Sequence, residues 1–156
     1  MHKASLNTPI GWLNVESSDW AIIGMYFTIH PYEMNSDHPL MNEALLQIKA
    51  YFEGRLQHFN LPVEPAGTVF QRLVWDEVMK IPYGQTLSYS KLSLRCGDEK
   101  KVRAVAAANA ANPLAIVIPC HRIIGSNGQL TGYAWGLERK EWLLRHEQSR
   151  SQLSFF

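Results

Sequence analysis

Cys120 and His121 are neighbours in the chain, with Pro119 before them and Arg122 after. A thiol beside an imidazole and a guanidinium is the ordinary recipe for a reactive thiolate. A free cysteine is also a small apolar side chain that fills cores without reacting. The pair alone leaves both readings open. Glu147 bears on the choice, because it stands four and three residues after Leu143 and Leu144 and shares their face of a helix. A carboxylate on an apolar face needs a partner, unless it lies at a frayed end near water.

These groups need elements to hold them. The run Leu114-Ala115-Ile116-Val117 reads as buried and fixes Ile118-Pro119-Cys120-His121-Arg122 behind it. Upstream, Thr68 opens a helix with a capping box, since Gln71 stands three residues on, and Phe70, Leu73, Val74 and Val78 form its apolar stripe. Ser88 caps a short helix that Cys96-Gly97 closes. Asp98 caps the next, which runs to about Ala111 before Asn112-Pro113 stops it. Two helices around a tight turn make a helix-turn-helix pattern. In the second, Val102, Val105 and Ala106 are the expected inward face. Ala104, Ala107 and Ala110 share the other face with Arg103, and Lys100 and Lys101 stand at the start. Small residues let a helix press its backbone against another surface, although alanine also serves as the best helix former. The basic start and the arginine favour nucleic acid. Downstream, Gly125-Ser126-Asn127-Gly128 is a turn, Thr131 to Gly136 is a glycine-bounded loop, and Leu137 to about Glu147 is the last helix, followed by a mobile tail from Ser149 to Phe156.

The N-terminal part carries no recognisable chemistry. Residues 9–29 read as strands, with Trp12 and Trp20 in the core. Residues 30–39 read as loop. Leu40 to Phe52 reads as a helix that buries Ala44, Leu45, Ile48 and Phe52 and ends at Gly54. Asn60 to Gly67, with Pro62 and Pro65, reads as a linker.

Bulk properties narrow the classes. The chain of 156 residues is 46% hydrophobic, enough for a packed core in one or two small domains. No apolar stretch approaches transmembrane length, and none follows Met1 as a signal region would. Two cysteines without secretory context argue for reduced thiols in a cytoplasm. The six histidines show no metal-ligand spacing, which argues against zinc. The net charge of +1 hides a split: residues 1–79 carry −5 and residues 80–156 carry +6. Such asymmetry points the second half at a polyanion.

Pro119-Cys120-His121-Arg122, with Asn112-Pro113 upstream and Gly132-Tyr133 downstream, resembles the acceptor site of the O6-alkylguanine-DNA alkyltransferases, the methylated-DNA–protein-cysteine methyltransferases. Similarity runs from about Thr68 to Glu147 and fades toward the N-terminus. Related non-enzymatic alkyltransferase-like proteins replace the cysteine, which is present here. The resemblance implies two domains. Residues 1–66 would be a small α/β domain of ribonuclease-H-like arrangement with its linker. Residues 67–156 would be a mainly α, DNA-binding alkyltransferase domain with a winged-helix-like helix-turn-helix.

The resemblance also implies the activity, direct reversal of DNA damage. The alkyl group of O6-alkylguanine, and of O4-alkylthymine, in double-stranded DNA would pass irreversibly to Cys120, one molecule consumed per lesion. The nucleotide would be flipped out from the minor-groove side. His121 would take the thiol proton and Glu147 would orient His121. Asn112 would brace the cysteine turn. Tyr89 would help turn the nucleotide and hydrogen-bond the base. Arg103 would fill the gap in the duplex, with Lys101, Val102, Ala104, Ala106 and Ala110 alongside on the DNA. Tyr133, Ala134 and Trp135 would line the substrate pocket. No metal or cofactor is implied, and the protein would act as a monomer. Two positions depart from some family members. Ala134 replaces a serine hydroxyl, and Trp135 replaces a glycine. Trp135 would either narrow the pocket against bulky alkyl groups or act as a structural plug. Two other classes remain on residue types alone: a cysteine hydrolase, which would turn over, and a pure DNA-binding module, which would need no thiol.

Overall fold

Three strands open the chain in the computed structural model, which describes residues 1–153, with side chains through Ser149. They are β1 (His2–Thr8), β2 (Gly11–Ser17) and β3 (Ile22–Thr28), an antiparallel meander in the order β1-β2-β3. Gly11 takes a φ of 114° where β1 turns into β2, a conformation that glycine adopts without strain. β1 was absent from the sequence reading. Its burial does not alternate: the successive residues Ala4 and Ser5 are both buried while Lys3 and Asn7 are exposed, so it shows no clean apolar period.

Helix α1 (Pro39–Phe52) covers one face of the sheet. Proline suits its first turn, where no N–H is needed. It buries Met41, Ala44, Gln47, Ile48 and Tyr51 rather than Leu45 and Phe52, so the stripe is rotated from the expected one. Leu13, Val15 and Met25 complete this core. Trp12 and Trp20, expected inside, are 38% and 81% exposed. The outer edge of β3 takes two short parallel bridges, Ile22 with Val63 and Met25 with Leu114. Part of the expected linker thereby pairs with the edge of β3 through Val63. The compact unit comprises Met1–Ala66 together with Pro113–Ala115.

The second unit comprises Gly67–Asn112 and residues from Ile116 onward. Helix α2 (Val69–Met79) begins at Thr68 with the expected capping box. Its buried stripe is Val74, Trp75 and Val78, while Leu73 is 46% exposed. Trp75 was missed; its indole N–H donates to the Ala108 carbonyl at 2.8 Å, which satisfies its one polar atom. Strand β4 (Leu87–Ser88) leads into α3 (Tyr89–Arg95), capped by Ser88 as expected. Gly97, at φ 109°, turns the chain into a short 3-10 turn (Glu99–Lys101) capped by Asp98. Helix α4 (Val102–Ala110) follows. Its inward face is Val105, Ala108 and Asn109, so the expected face of Val102, Val105 and Ala106 is corrected by a small rotation. Val102 and Ala106 are half-buried.

A second 3-10 turn (Cys120–Arg122) precedes β5 (Ile123–Ile124), and α5 (Leu137–Leu153) closes the description. The expected mobile tail is corrected as far as Leu153, which the helix reaches; residues 154–156 lie outside the described residues. One small device organises the unit. β4 and β5 pair in parallel, Leu87 with Ile123 and Ser88 with Ile124. That pairing joins the start of α3, where Tyr89 stands, to the end of the turn that carries Cys120. Among the described residues, no helix is long and apolar enough to cross a membrane.

Candidate functional site

Cys120 is 2% exposed and lies at the wall of a cavity of about 500 Å³. The backbone that delivers it is unusual. Ile116 has a φ of 73°, a left-handed conformation that a β-branched side chain adopts at a cost of about 1–3 kcal/mol. It is held there by near-complete burial. The Asn112 amide then ties the turn, donating to the Ile118 carbonyl at 2.8 Å and to the Cys120 sulfur at 3.2 Å.

His121 is wholly buried and meets Glu147 at 2.7 Å through Nε2. That bond assigns the tautomer. Nε2 carries the proton donated to the carboxylate, which leaves Nδ1 of the neutral ring a base. Nδ1 has no partner among the described residues. Arg122 grips the same carboxylate, Nε to Oε1 at 2.7 Å and Nη2 to Oε2 at 3.1 Å, and donates to the Ile81 carbonyl at 2.6 Å. Burial works to raise the Glu147 pKa, but His121 and Arg122 outweigh it and hold the carboxyl well below its usual range.

The thiol behaves in the opposite way. Burial pushes Cys120 up to about 11, against the lowering pull of Asn112 and of Lys140. Burial thus favours the neutral thiol, which agrees with the expectation that a base, His121, would have to take its proton.

Lys140 was missed. It is 0% exposed and donates to three carbonyls, those of Ile123 at 2.6 Å, Thr131 at 2.9 Å and Gly132 at 3.0 Å. Its ammonium also lies 5.8 Å from the centre of the Tyr89 ring. Burial pulls its pKa down to about 8, with the Cys120 charge opposing. Lys140 stands three and four residues before Leu143 and Leu144 and seven before Glu147, so its place on the inward face was visible in the sequence. Lysine is almost never fully buried without partners, and carbonyl partners leave no sequence mark.

Tyr89 lines the cavity and donates to the Thr131 carbonyl at 3.2 Å. Arg103, Val102, Ala106 and Ala110 line it from α4, with Arg103 exposed at the mouth. Tyr133 and Ala134 line it from the loop. Trp135, expected at the pocket, is not among the lining residues. It packs edge-on against Tyr133, ring centres 5.4 Å apart, and Arg139 holds its carbonyl at 3.0 Å. Lys101 and Ala104 are exposed and stand outside the cavity lining.

In the first unit, His2, Asp19 and His38 bring three ligand-type atoms within 4.8 Å of one another, which sequence spacing did not foresee. His38 Nδ1 accepts the Leu40 N–H, which puts the proton of the neutral ring on Nε2, the atom facing Asp19. A metal would need that proton gone, so the group fits a hydrogen-bonded cluster better than a metal centre.

Residues 69–149 match the family model for the DNA binding domain of 6-O-methylguanine DNA methyltransferase. The chain belongs to this family. Within the family, a methylated-DNA–protein-cysteine methyltransferase of Mycobacterium bovis is 37% identical over 156 residues, covering 97% of this chain and 94% of that one. One from Methanosarcina barkeri is 46% identical over 119 residues, covering 76% and 75%. The crystal structure of Mycobacterium tuberculosis OGT in complex with DNA superimposes with a TM-score of 0.88 at 37% identity, covering 96% and 94%. The mixed α/β fold, a small antiparallel sheet with helices, is the fold of these family structures.

Proposed function

We propose that the protein repairs DNA by direct reversal, accepting the alkyl group of O6-alkylguanine on Cys120. One observation carries the reading. In a chain of this family, a buried thiol opens on a cavity beside a histidine whose Nε2 is bound by an ionised glutamate and whose Nδ1 is unpartnered.

The steps follow from the groups present. No direct hydrogen bond joins the Cys120 sulfur to His121 among the described residues, so a bridging water passes the thiol proton to Nδ1. Glu147 stabilises the imidazolium that results, and the Asn112 N–H and the Lys140 charge stabilise the thiolate. The sulfur attacks the alkyl carbon. The C–S bond forms, the C–O bond breaks, and the electron pair leaves on the guanine. Tyr89 donates a hydrogen bond to the base as that charge develops. Thiol, base and alkyl donor supply every atom, so the reaction needs no metal or cofactor. Nothing in the cavity would cleave the thioether, and the protein is consumed.

The base reaches the cavity by leaving the duplex, at a cost of a few kcal/mol. Arg103 at the mouth fills the gap, while Lys101 and the small face of α4, including Ala104, lie along the DNA. O4-alkylthymine is a second substrate. In this reading residues 67–156 form the DNA-binding alkyltransferase domain, winged-helix-like around α3 and α4, and residues 1–66 form a ribonuclease-H-like support. The protein acts as a monomer in a reducing cytoplasm, which keeps the acceptor thiol free. Titration with labelled O6-methylguanine duplex tests the reading: transfer stops at one equivalent. Continued turnover would favour a cysteine hydrolase, and binding without transfer a pure DNA-binding module.

A further inference from the structure

Asn109 sits on the inward face of α4 between positions that hold alanine and valine, where packing alone would be met by an apolar side chain. It is 5% exposed, and it lines the same cavity as Cys120, Tyr89 and Tyr133. Its Nδ2 donates to the Cys120 carbonyl at 3.4 Å. Its Oδ1 is buried and has no hydrogen-bond partner among the described residues. An amide so placed is half satisfied by the protein and offers its remaining acceptor to whatever fills the cavity.

We propose that Asn109 reads the identity of the damaged base, its Oδ1 accepting a hydrogen from the exocyclic amino group of the alkylated guanine. This rests on the alkyltransferase reading and adds to it a selectivity. Alkylation at O6 removes the N1 hydrogen, so the amino group is the ring's remaining N–H donor. An O4-alkylated thymine has no N–H on its ring edge and presents only acceptors. When a bound base excludes water from the wall, a guanine lesion completes the bonding of Asn109 and a thymine lesion leaves it unpaired. Sites built to hydrogen-bond a substrate N–H discriminate against analogues without it for this reason.

The test removes one group from each side. Single-turnover transfer is measured on duplexes carrying O6-methylguanine or O6-methylhypoxanthine, which keeps the purine ring and the methyl ether but lacks the amino group. Both are reacted with the unaltered protein and with Asn109→Leu; Asn109→Ala carries the same comparison should the leucine variant not fold. The unaltered protein is expected to favour the guanine substrate by roughly tenfold, the scale of one hydrogen bond whose loss strands a buried acceptor. The variants are expected to bring that ratio near one by losing rate on guanine alone. A ratio near one in the unaltered protein, or the same ratio in the variants, would overturn the assignment. Absence of transfer to either duplex by the unaltered protein would overturn the alkyltransferase reading itself.

Discussion

Arg122 and Glu147 form a two-point buried ion pair, with N···O distances of 2.7 and 3.1 Å. The pair decides what His121 can do. A carboxylate clamped by a guanidinium stays ionised, so a proton taken up by the imidazole remains on the ring. In the proposed mechanism Glu147 orients His121 and stabilises the charge it gains, without itself becoming the base.

Arg122→Leu is expected to destabilise the fold by about 3–5 kcal/mol, because it strands a buried carboxylate. Denaturant midpoints measure this, and an unchanged midpoint would show the pair to be idle. The acid limb gives a second check. Glu147 is more acidic folded than unfolded, so its contribution is complete above the unfolded value of about 4.3 and is lost as pH falls toward the folded value. Between about pH 5 and pH 2, Glu147→Gln should lose stability less steeply than the unaltered protein.

Lys140→Met removes the buried positive charge that pulls the Cys120 pKa down. It also releases the Thr131 and Gly132 carbonyls from the cavity wall. The pH profile of Cys120 alkylation by a small thiol reagent should move upward by about one unit, which is tenfold in thiolate at a given pH. A profile that stays in place while stability falls would make Lys140 a purely structural clasp.

Trp135→Gly is expected to act through Tyr133, against which the indole packs. Melting temperature should drop, and the rates on O6-methylguanine and O6-benzylguanine should fall together. A selective gain on the benzyl substrate would mean that the indole guards the pocket after all.

Arg103→Ala should slow repair of duplex DNA far more than reaction with the free base O6-methylguanine, since the free base leaves no gap to fill. Equal losses on both substrates would assign Arg103 to the fold or to the thiolate.

The caps were legible because they are written locally: Thr68 with Gln71, Ser88 and Asp98 each show in a few residues. The Cys120, His121 and Glu147 set was legible through its resemblance to a family motif, and the fold brings His121 and Glu147 into contact. What stayed hidden depends on contacts distant in sequence. Trp75 is buried because Ala108 accepts its N–H, and Lys140 because three carbonyls surround it. Trp20 was misread because tryptophan's general preference for burial says nothing about an exposed turn. The state of the thiol stayed open because residue types near a cysteine do not reveal how deeply it is buried, and burial is the larger effect on Cys120.

The central claim is tested most directly by intact-mass measurement and peptide mapping after incubation with excess O6-methylguanine duplex. The expected result is one added methyl group per molecule, located on Cys120, with Cys96 unmodified and with no addition in Cys120→Ser, which should still bind DNA. A methyl group on another residue, transfer by Cys120→Ser, or unmodified protein beside repaired DNA would contradict it.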